Sequence, residues 1–73
     1  MEGIHRLTDR EFEVFNLIGE GRSNTEIADS LHISPKTVDV HKAHIREKLE
    51  LRDSAAVLRY AMRWAEARDG LLG

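Results

Sequence analysis

The side chains best suited to acid–base or metal chemistry in this sequence are its four histidines. They are His5, His32, His41 and His44. His41 and His44 are three residues apart in a helical pattern, whereas a zinc-binding helix favours a spacing of four, and no acidic third ligand falls on that face. The sequence also has no cysteine, no nucleophile arrangement and no glycine-rich phosphate loop. We therefore expect no enzyme activity, no catalytic residue, no metal and no cofactor, and we interpret His41 as a partly buried residue bonded to a backbone carbonyl.

A second kind of chemistry is the binding of phosphate by cations. For this binding, the distribution of charge along the chain matters more than its net charge. The 73 residues carry a net charge of −2. Residues 1–34 contribute −4, residues 35–52 contribute +2, and residues 53–73 are neutral. Affinity for a polyanion depends on the local patch that faces it, not on the whole-chain sum. The gradient permits a nucleic-acid partner without demanding one.

The composition predicts a single globular domain that comprises residues 1–73, with an ordered core at about 7–68. Hydrophobic residues make up 41% of the chain and charged residues 33%, which is ordinary for a small folded protein. The apolar runs are far too short to span a membrane, and the N-terminus lacks an apolar signal core. We therefore expect no membrane partner, and a cytoplasmic location.

Capping sequences mark the starts of the predicted helices. Thr8–Glu11 and Ser23–Glu26 match the capping box, and Ser34 followed by Pro35 is typical of a third helix start. We expect a fourth helix to begin after a cap at Asp53 or Ser54 and to run to about residue 68. The sequence therefore predicts an all-α, compact four-helix domain without strands.

Glycines and apolar spacing complete this interpretation. Gly19 and Gly21 are expected to end the first helix, because glycine readily adopts the left-handed conformation of a helix C-cap. The predicted third helix, about residues 35–50, has an inner stripe at spacings of three and four. Its members are Val38, His41, Ile45 and Leu49.

The second and third helices are joined by about three residues, so they must pack at a steep angle. This arrangement, from about Asn24 to Leu51, is typical of a helix-turn-helix. Buried positions are expected at Ile27, Ala28, Leu31, Ile33 and Val38. Short turns between helices also occur in ordinary bundles, and the pattern alone leaves that alternative open.

A wider set of residues, from 7 to about 61, resembles the LuxR/GerE-type (NarL/FixJ-like) helix-turn-helix family of bacterial transcription regulators. The residues that carry the resemblance are Leu7–Glu11, Gly21, Ser23, Asn24, Glu26–Ala28, Leu31, Ile33, Ser34, Thr37, Val38, His41, Ile45, Lys48 and Leu49. Asp39 is closest to the FixJ-like branch, whereas NarL-like members have a lysine at that position. Ser54 departs from the arginine that many members carry near the start of the fourth helix.

The resemblance implies a DNA-binding domain whose third helix enters the major groove and whose fourth helix makes a dimer contact on DNA. It also implies the C-terminal output domain of a longer regulator, most simply a two-component response regulator with a receiver domain upstream, acting in the bacterial cytoplasm. Quorum-sensing and stand-alone regulators share this domain as well. The few residues before the first helix leave no room for a sensor, so we expect either a piece of a longer regulator or a stand-alone regulator. No small-molecule ligand is expected in this domain.

The expected base-facing residues of the third helix are Asp39, Val40 and Ala43, which lie opposite the inner stripe. The resemblance implies base contacts at the same three positions. Val40 and Ala43 offer apolar contact suited to a thymine methyl group. For Asp39 three interpretations remain open. It accepts a hydrogen bond from a cytosine amine, it pairs with Lys36 or Lys42, or it only stabilises the positive end of the helix dipole.

The expected contacts to the DNA backbone come from cations and from the starts of two helices. The cations are Lys36, Lys42, Arg46 and Arg52, and the resemblance implies a backbone contact at Arg52. The helix starts contribute Ser23, Asn24, Ser34 and Thr37, because amides at a helix N-terminus bind phosphate. The alternative for each cation is a solvated surface charge.

The predicted fourth helix has more apolar surface than one core stripe requires. The candidates for a dimer or docking contact are Val57, Tyr60, Ala61 and Trp64, while Val57, Leu58 and Ala61 are also the residues expected to reach the core. Trp64 has a second interpretation, in which it covers one end of the first helix. Phe12 is a further docking candidate. The alternative function is accordingly a protein-interaction or dimerisation module with little DNA affinity.

Overall fold

The computed structural model describes the backbone of residues 3–72 and the side chains of residues 3–70. Four α-helices follow a short 3-10 turn at Ile4–Arg6. They are α1 (Asp9–Gly19), α2 (Asn24–Leu31), α3 (Pro35–Lys48) and α4 (Ser54–Leu72). No strand occurs within the described backbone. The predicted all-α, four-helix fold is therefore confirmed.

The first two helices begin at the predicted capping boxes. The Glu11 amide donates to the Thr8 hydroxyl at 3.2 Å, and the Thr8 amide donates back to the Glu11 carboxylate at 2.9 Å. Ser23 and Glu26 form the same reciprocal pair at 3.2 and 2.9 Å. Each box satisfies amides that the helix itself leaves without partners.

The other two helices also begin as the sequence predicts. Ser34 accepts a hydrogen bond from the Thr37 amide at 3.1 Å, and Pro35 occupies the first turn of α3, where its missing N–H costs nothing. The carboxylate of Asp53 accepts from the Ala56 amide at 2.8 Å, so Asp53 rather than Ser54 caps α4.

The predicted end of α1 is confirmed, because Gly19 is its last residue and Gly21, with φ of 84°, adopts the left-handed conformation. Gly19 itself is not left-handed. A Cβ on Gly19 would lie 2.5 Å from the Ala61 carbonyl oxygen, so Gly19 is small because α4 crosses α1 there. The predicted end of α4 is wrong, because the helix continues past residue 68 to Leu72.

The core lies where α3 contacts all three other helices and where α1 packs on α4. The buried hydrophobic residues are Val14, Phe15, Ile18, Ile27, Ala28, Val38, Ile45, Val57, Ala61 and Ala65. Leu31, Ile33 and Leu49 are partly buried against them. Because these positions hold one face of α3 in the core, its opposite face lies at the surface.

Leu58 was expected in the core, and this prediction is wrong, because 43% of it is exposed. Val57, Ala61 and Ala65 form the buried stripe of α4 at spacings of four. A helix turns by about 100° per residue, so Leu58 lies beside that stripe and not on it. No helix in the described part of the chain is both long and apolar enough to cross a membrane.

Candidate nucleic-acid interface

The turn between α2 and α3 consists of residues 32–34, the length that the sequence predicts. His32 ends α2 in the left-handed conformation, with φ of 58°, and the Ile33 amide donates to the Ala28 carbonyl at 3.0 Å. Ser34 then caps α3. The abrupt reversal at His32 places the start of α3 beside α2, which is the arrangement of a helix-turn-helix.

The outer face of α3 displays the three residues that the sequence predicts to face bases. Asp39, Val40 and Ala43 are all exposed, and Val40 keeps 46% of its surface accessible. Val38 and Ile45, on the other side of the helix, are fully buried. The helix therefore combines a fixed inner face with an accessible outer one.

Asp39 is held by a residue of the other helix of the motif. The Asn24 side-chain amide donates to the Asp39 carboxylate at 2.5 Å, and the Asn24 carbonyl accepts a hydrogen bond from the Lys42 ammonium. Among the described residues Asp39 forms no ion pair with Lys36 or Lys42, so direct pairing was the wrong interpretation. Asn24, which is expected to contact the DNA backbone, bridges the Asp39 carboxylate and the Lys42 ammonium in this structure.

The predicted cations fall into two groups. Lys36 and Arg52 are exposed and form no hydrogen bond or ion pair with any described residue. Arg46 is half-buried and donates from Nη1 to the Leu51 carbonyl at 3.3 Å, which closes the connection between α3 and α4. The cations that are free to meet an external anion are therefore at the two ends of the α3 segment.

The hydroxyl groups at the helix starts are used within the protein. Ser23 accepts from the Glu26 amide, and Ser34 accepts from the Thr37 amide while sharing a 2.9 Å hydrogen bond with the Thr37 hydroxyl. These hydrogen bonds fix the first turn of each helix. Each serine oxygen is used as the acceptor of a cap, and the Ser23 O–H has no acceptor among the described residues.

A buried carboxylate anchors the other end of α3. Only 4% of Glu11 is exposed, and its Oε1 accepts from the Lys48 ammonium at 2.6 Å. His44 Nδ1 lies 3.6 Å from Oε2. Burial by itself raises the pKa of Glu11, but the hydrogen bonds from Lys48 and from the Thr8 amide outweigh it, so the pKa lies below its ordinary value. Sequence reasoning treated Glu11 only as part of a helix cap and missed this link.

The histidines do not assemble a site. His41 is half-buried, as predicted, but its buried Nδ1 has no hydrogen-bond partner in the described chain, so the bond to a backbone carbonyl does not form there. Within residues 3–70, no group of three or more histidine and acidic side chains is arranged to hold a metal ion.

Two of the predicted docking residues of α4 belong to the core. Val57 is 4% exposed and Ala61 is fully buried, so neither has surface to offer a partner, and their selection as contact residues was wrong. The half-buried ring of Tyr60 lies 6.0 Å from that of Phe15. Tyr60 therefore covers the core more than it faces solvent.

Trp64 is also engaged within the domain. Its ring meets Phe12 edge-on at 5.8 Å, and its indole N–H donates to the Asn16 side chain at 3.0 Å. It thereby covers α1, the second of the two interpretations given above, and the same contact engages Phe12. Among the described side chains of α4, the large apolar ones that are exposed are Leu58 and Met62, which border an open groove of about 650 Å³ between α4 and α3.

Comparison with known proteins adds an independent finding. Residues 5–61 match the model of the GerE family, described as bacterial regulatory proteins of the luxR family. The oxygen regulatory protein NreC of Staphylococcus carnosus is 44% identical over 57 residues, which are 78% of this chain and 26% of that protein. The transcriptional regulatory protein MctR of Rhizobium johnstonii is 41% identical over 61 residues, 84% of this chain and 28% of that protein. The matched part of the chain covers about a quarter of the length of these relatives.

Proposed function

The chain belongs to the luxR family of bacterial regulatory proteins, and on that basis we propose that it binds specific sequences of double-stranded DNA as the output domain of a transcription regulator. The observation that carries the proposal is the outer face of α3. Asp39, Val40 and Ala43 are exposed there while the inner face is fixed in the core. In a helix-turn-helix, the N-terminal part of this helix reads base edges in the major groove.

Each base-facing residue has a chemistry that suits this role. The Asp39 carboxylate accepts from a cytosine amine, and Val40 and Ala43 contact thymine methyl groups. Lys36 and Arg52, which have no partners among the described residues, bind phosphates on either side, and Lys42 adds a third cation. Backbone amides at the starts of α2 and α3 contribute further phosphate contacts.

Binding as a homodimer completes the proposal. Three or four phosphate contacts give one copy only weak affinity, and two copies on half-sites one helical turn apart overcome this. The contact between copies uses the exposed apolar residues of α4, Leu58 and Met62, because the core residues of that helix are inaccessible. No catalysis, cofactor or small-molecule ligand enters this function, which belongs in the bacterial cytoplasm with the DNA.

The relatives suggest how such a domain is used. They are about three times as long as this chain, and their names describe oxygen regulation and transcriptional regulation. We infer that the chain serves a response regulator, with a receiver domain upstream that controls the DNA-binding face. Phosphorylation of that receiver is then the input signal to α3.

A salt titration against selected DNA tests the proposal. A duplex is first selected from a random library with this chain, and affinity for it and for a scrambled duplex is measured by fluorescence anisotropy from about 50 to 200 mM salt. We expect preference for the selected duplex and a log–log salt slope of roughly one unit per phosphate contact. Failure to enrich any sequence, with no salt dependence, would instead support the alternative of a protein-interaction module.

A further inference from the structure

We propose that Asn24 is a positioning residue that sets the base preference of Asp39, although it lies on α2 and not on the recognition helix. This inference rests on the proposed function, since it concerns how the same surface chooses a sequence. It departs from the expected role of Asn24 as a contact to the DNA backbone. The bridge that one amide forms between two helices supports it.

The bridge uses both ends of the Asn24 amide. Its nitrogen donates to Asp39 Oδ1 at 2.5 Å, and its oxygen accepts from the Lys42 ammonium. Only one orientation of the amide satisfies both neighbours, because the reverse orientation would oppose its NH₂ to the ammonium and its oxygen to the carboxylate. The hydrogen bonds among the three side chains therefore run in one direction, from Lys42 through Asn24 to Asp39.

The backbone beneath Asn24 is fixed as well. Asn24 is the first residue of α2, directly after the Ser23 cap, whose reciprocal hydrogen bonds with Glu26 hold that turn. Asn24 itself is half-buried, whereas Asp39 is exposed. A side chain anchored in the protein thus restrains one that projects from it.

This restraint has two consequences for reading DNA. Asp39 uses Oδ1 for Asn24 and has no described partner at Oδ2, so the second oxygen stays available to a base in a fixed direction. Lys42 is held by the same amide, and its positive charge offsets the repulsion between the carboxylate and nearby phosphates. A carboxylate can then serve at a position where a free one would be repelled.

Binding-site selection on a set of variants tests the inference. The set contains the unaltered chain, Asn24→Ala, Asp39→Ala and the double variant, with Thr25→Ala as a control at an exposed neighbour on the same helix turn. We expect Asn24→Ala and Asp39→Ala to weaken the preference at the same base position by at least about fivefold. The double variant should lose no more than either single change, because the two residues act as a unit. Thr25→Ala should keep the original preference.

Two results would overturn the inference, and a third would overturn the proposed function. If Asn24→Ala keeps the preference and lowers the salt slope by about one unit, Asn24 contacts a phosphate and the inference is wrong. An unchanged preference in Asp39→Ala would also overturn it, because there would be no readout for Asn24 to position. If the unaltered chain selects no sequence at all, the proposed function itself fails, which is a different outcome from either.

A swapped pair covers the case in which Asn24→Ala disturbs the fold. Asn24→Asp combined with Asp39→Asn keeps a hydrogen-bonded bridge and places the amide on α3. Because asparagine recognises adenine, we expect an unchanged melting temperature and a preference at that position that moves from cytosine to adenine. Retention of the original preference by the swapped pair would contradict the inference.

Discussion

The Lys48 ammonium lies 2.6 Å from the Glu11 carboxylate, and this contact joins the end of α3 to the first turn of α1. The same carboxylate completes the cap at Thr8. One buried acid thus fixes both the start of α1 and the far end of α3. The proposed recognition surface depends on this rigidity, because a reading helix must keep its register to discriminate between bases.

The first prediction concerns the pH dependence of stability. The pKa of Glu11 is lower in the folded chain than its ordinary value of 4.5, because the Lys48 and Thr8 hydrogen bonds outweigh burial. The stabilisation is therefore complete above about pH 4.5 and is lost as the pH falls through the folded pKa. We expect urea unfolding between pH 7 and pH 3 to show a steeper acid loss for the unaltered chain than for Glu11→Gln. Parallel curves would mean that Glu11 contributes nothing.

The second prediction concerns the crossing of α1 and α4. Gly19→Ala places a Cβ 2.5 Å from the Ala61 carbonyl oxygen, so the backbone of α4 must move. We expect the free energy of unfolding to fall by about 1–3 kcal/mol. Gly70→Ala is the matched control, because a Cβ at that helical position meets nothing within 4 Å. The control should be neutral or slightly stabilising, and equal effects of the two changes would contradict the crossing.

The third prediction separates phosphate contact from base readout. Lys36 is exposed near the start of α3 and has no partner among the described residues. Lys36→Ala should weaken binding to all duplexes by a similar factor and lower the salt slope by about one unit. Arg59→Ala removes an exposed cation from α4 and should leave both quantities unchanged. A loss confined to one preferred sequence would assign Lys36 to base readout instead.

The fourth prediction concerns the dimer. Leu58 is 43% exposed on α4, so Leu58→Asp should leave the melting temperature nearly unchanged while disturbing a contact between copies. We expect binding to a duplex with two half-sites to weaken by at least about tenfold, and binding to a single half-site to stay constant. Ala67→Asp adds the same charge at another exposed position of the helix and serves as the control. Equal losses on both duplexes would place Leu58 outside any dimer contact.

The helices of this fold could be predicted because their signals are local. Thr8, Ser23 and Ser34 each cap a helix within three residues of their own position, so the sequence alone contains both partners. The buried stripe of α3 follows from the helical repeat in the same way. Such features need no knowledge of where the other helices lie.

The predictions that the structure corrects concern residues whose surroundings are set by another helix. Gly19 was interpreted as a cap because glycine commonly ends helices, but the nearby α4 backbone is what requires it. Leu58 has the right chemistry for the core and lies beside the stripe that faces it. Tertiary packing decides which side of a helix faces the core. Sequence periodicity alone does not decide which of two neighbouring residues, such as Val57 and Leu58, is buried there.

In the candidate site, too, local features could be predicted and contacts between helices could not. Asp39, Val40 and Ala43 could be placed on the outer face of α3 from spacing alone, and they are exposed. The Asn24 bridge could not be predicted, because its partner carboxylate is fifteen residues away and the contact depends on how the two helices pack. Intrahelical spacing pointed to the neighbouring lysines as partners for the acid, and the structure supplies an amide between them.

Amide chemical-shift mapping tests the central claim most directly, namely that the outer face of α3 meets the DNA. The ¹⁵N-labelled chain is titrated with the selected duplex, and the shift of each backbone amide is followed. We predict the largest changes at residues 36–43 of α3 and at the start of α2, further changes near Leu58 and Met62 where two copies meet, and small changes at residues 66–70 of α4. Large changes confined to α4, with α3 unaffected, would contradict the claim.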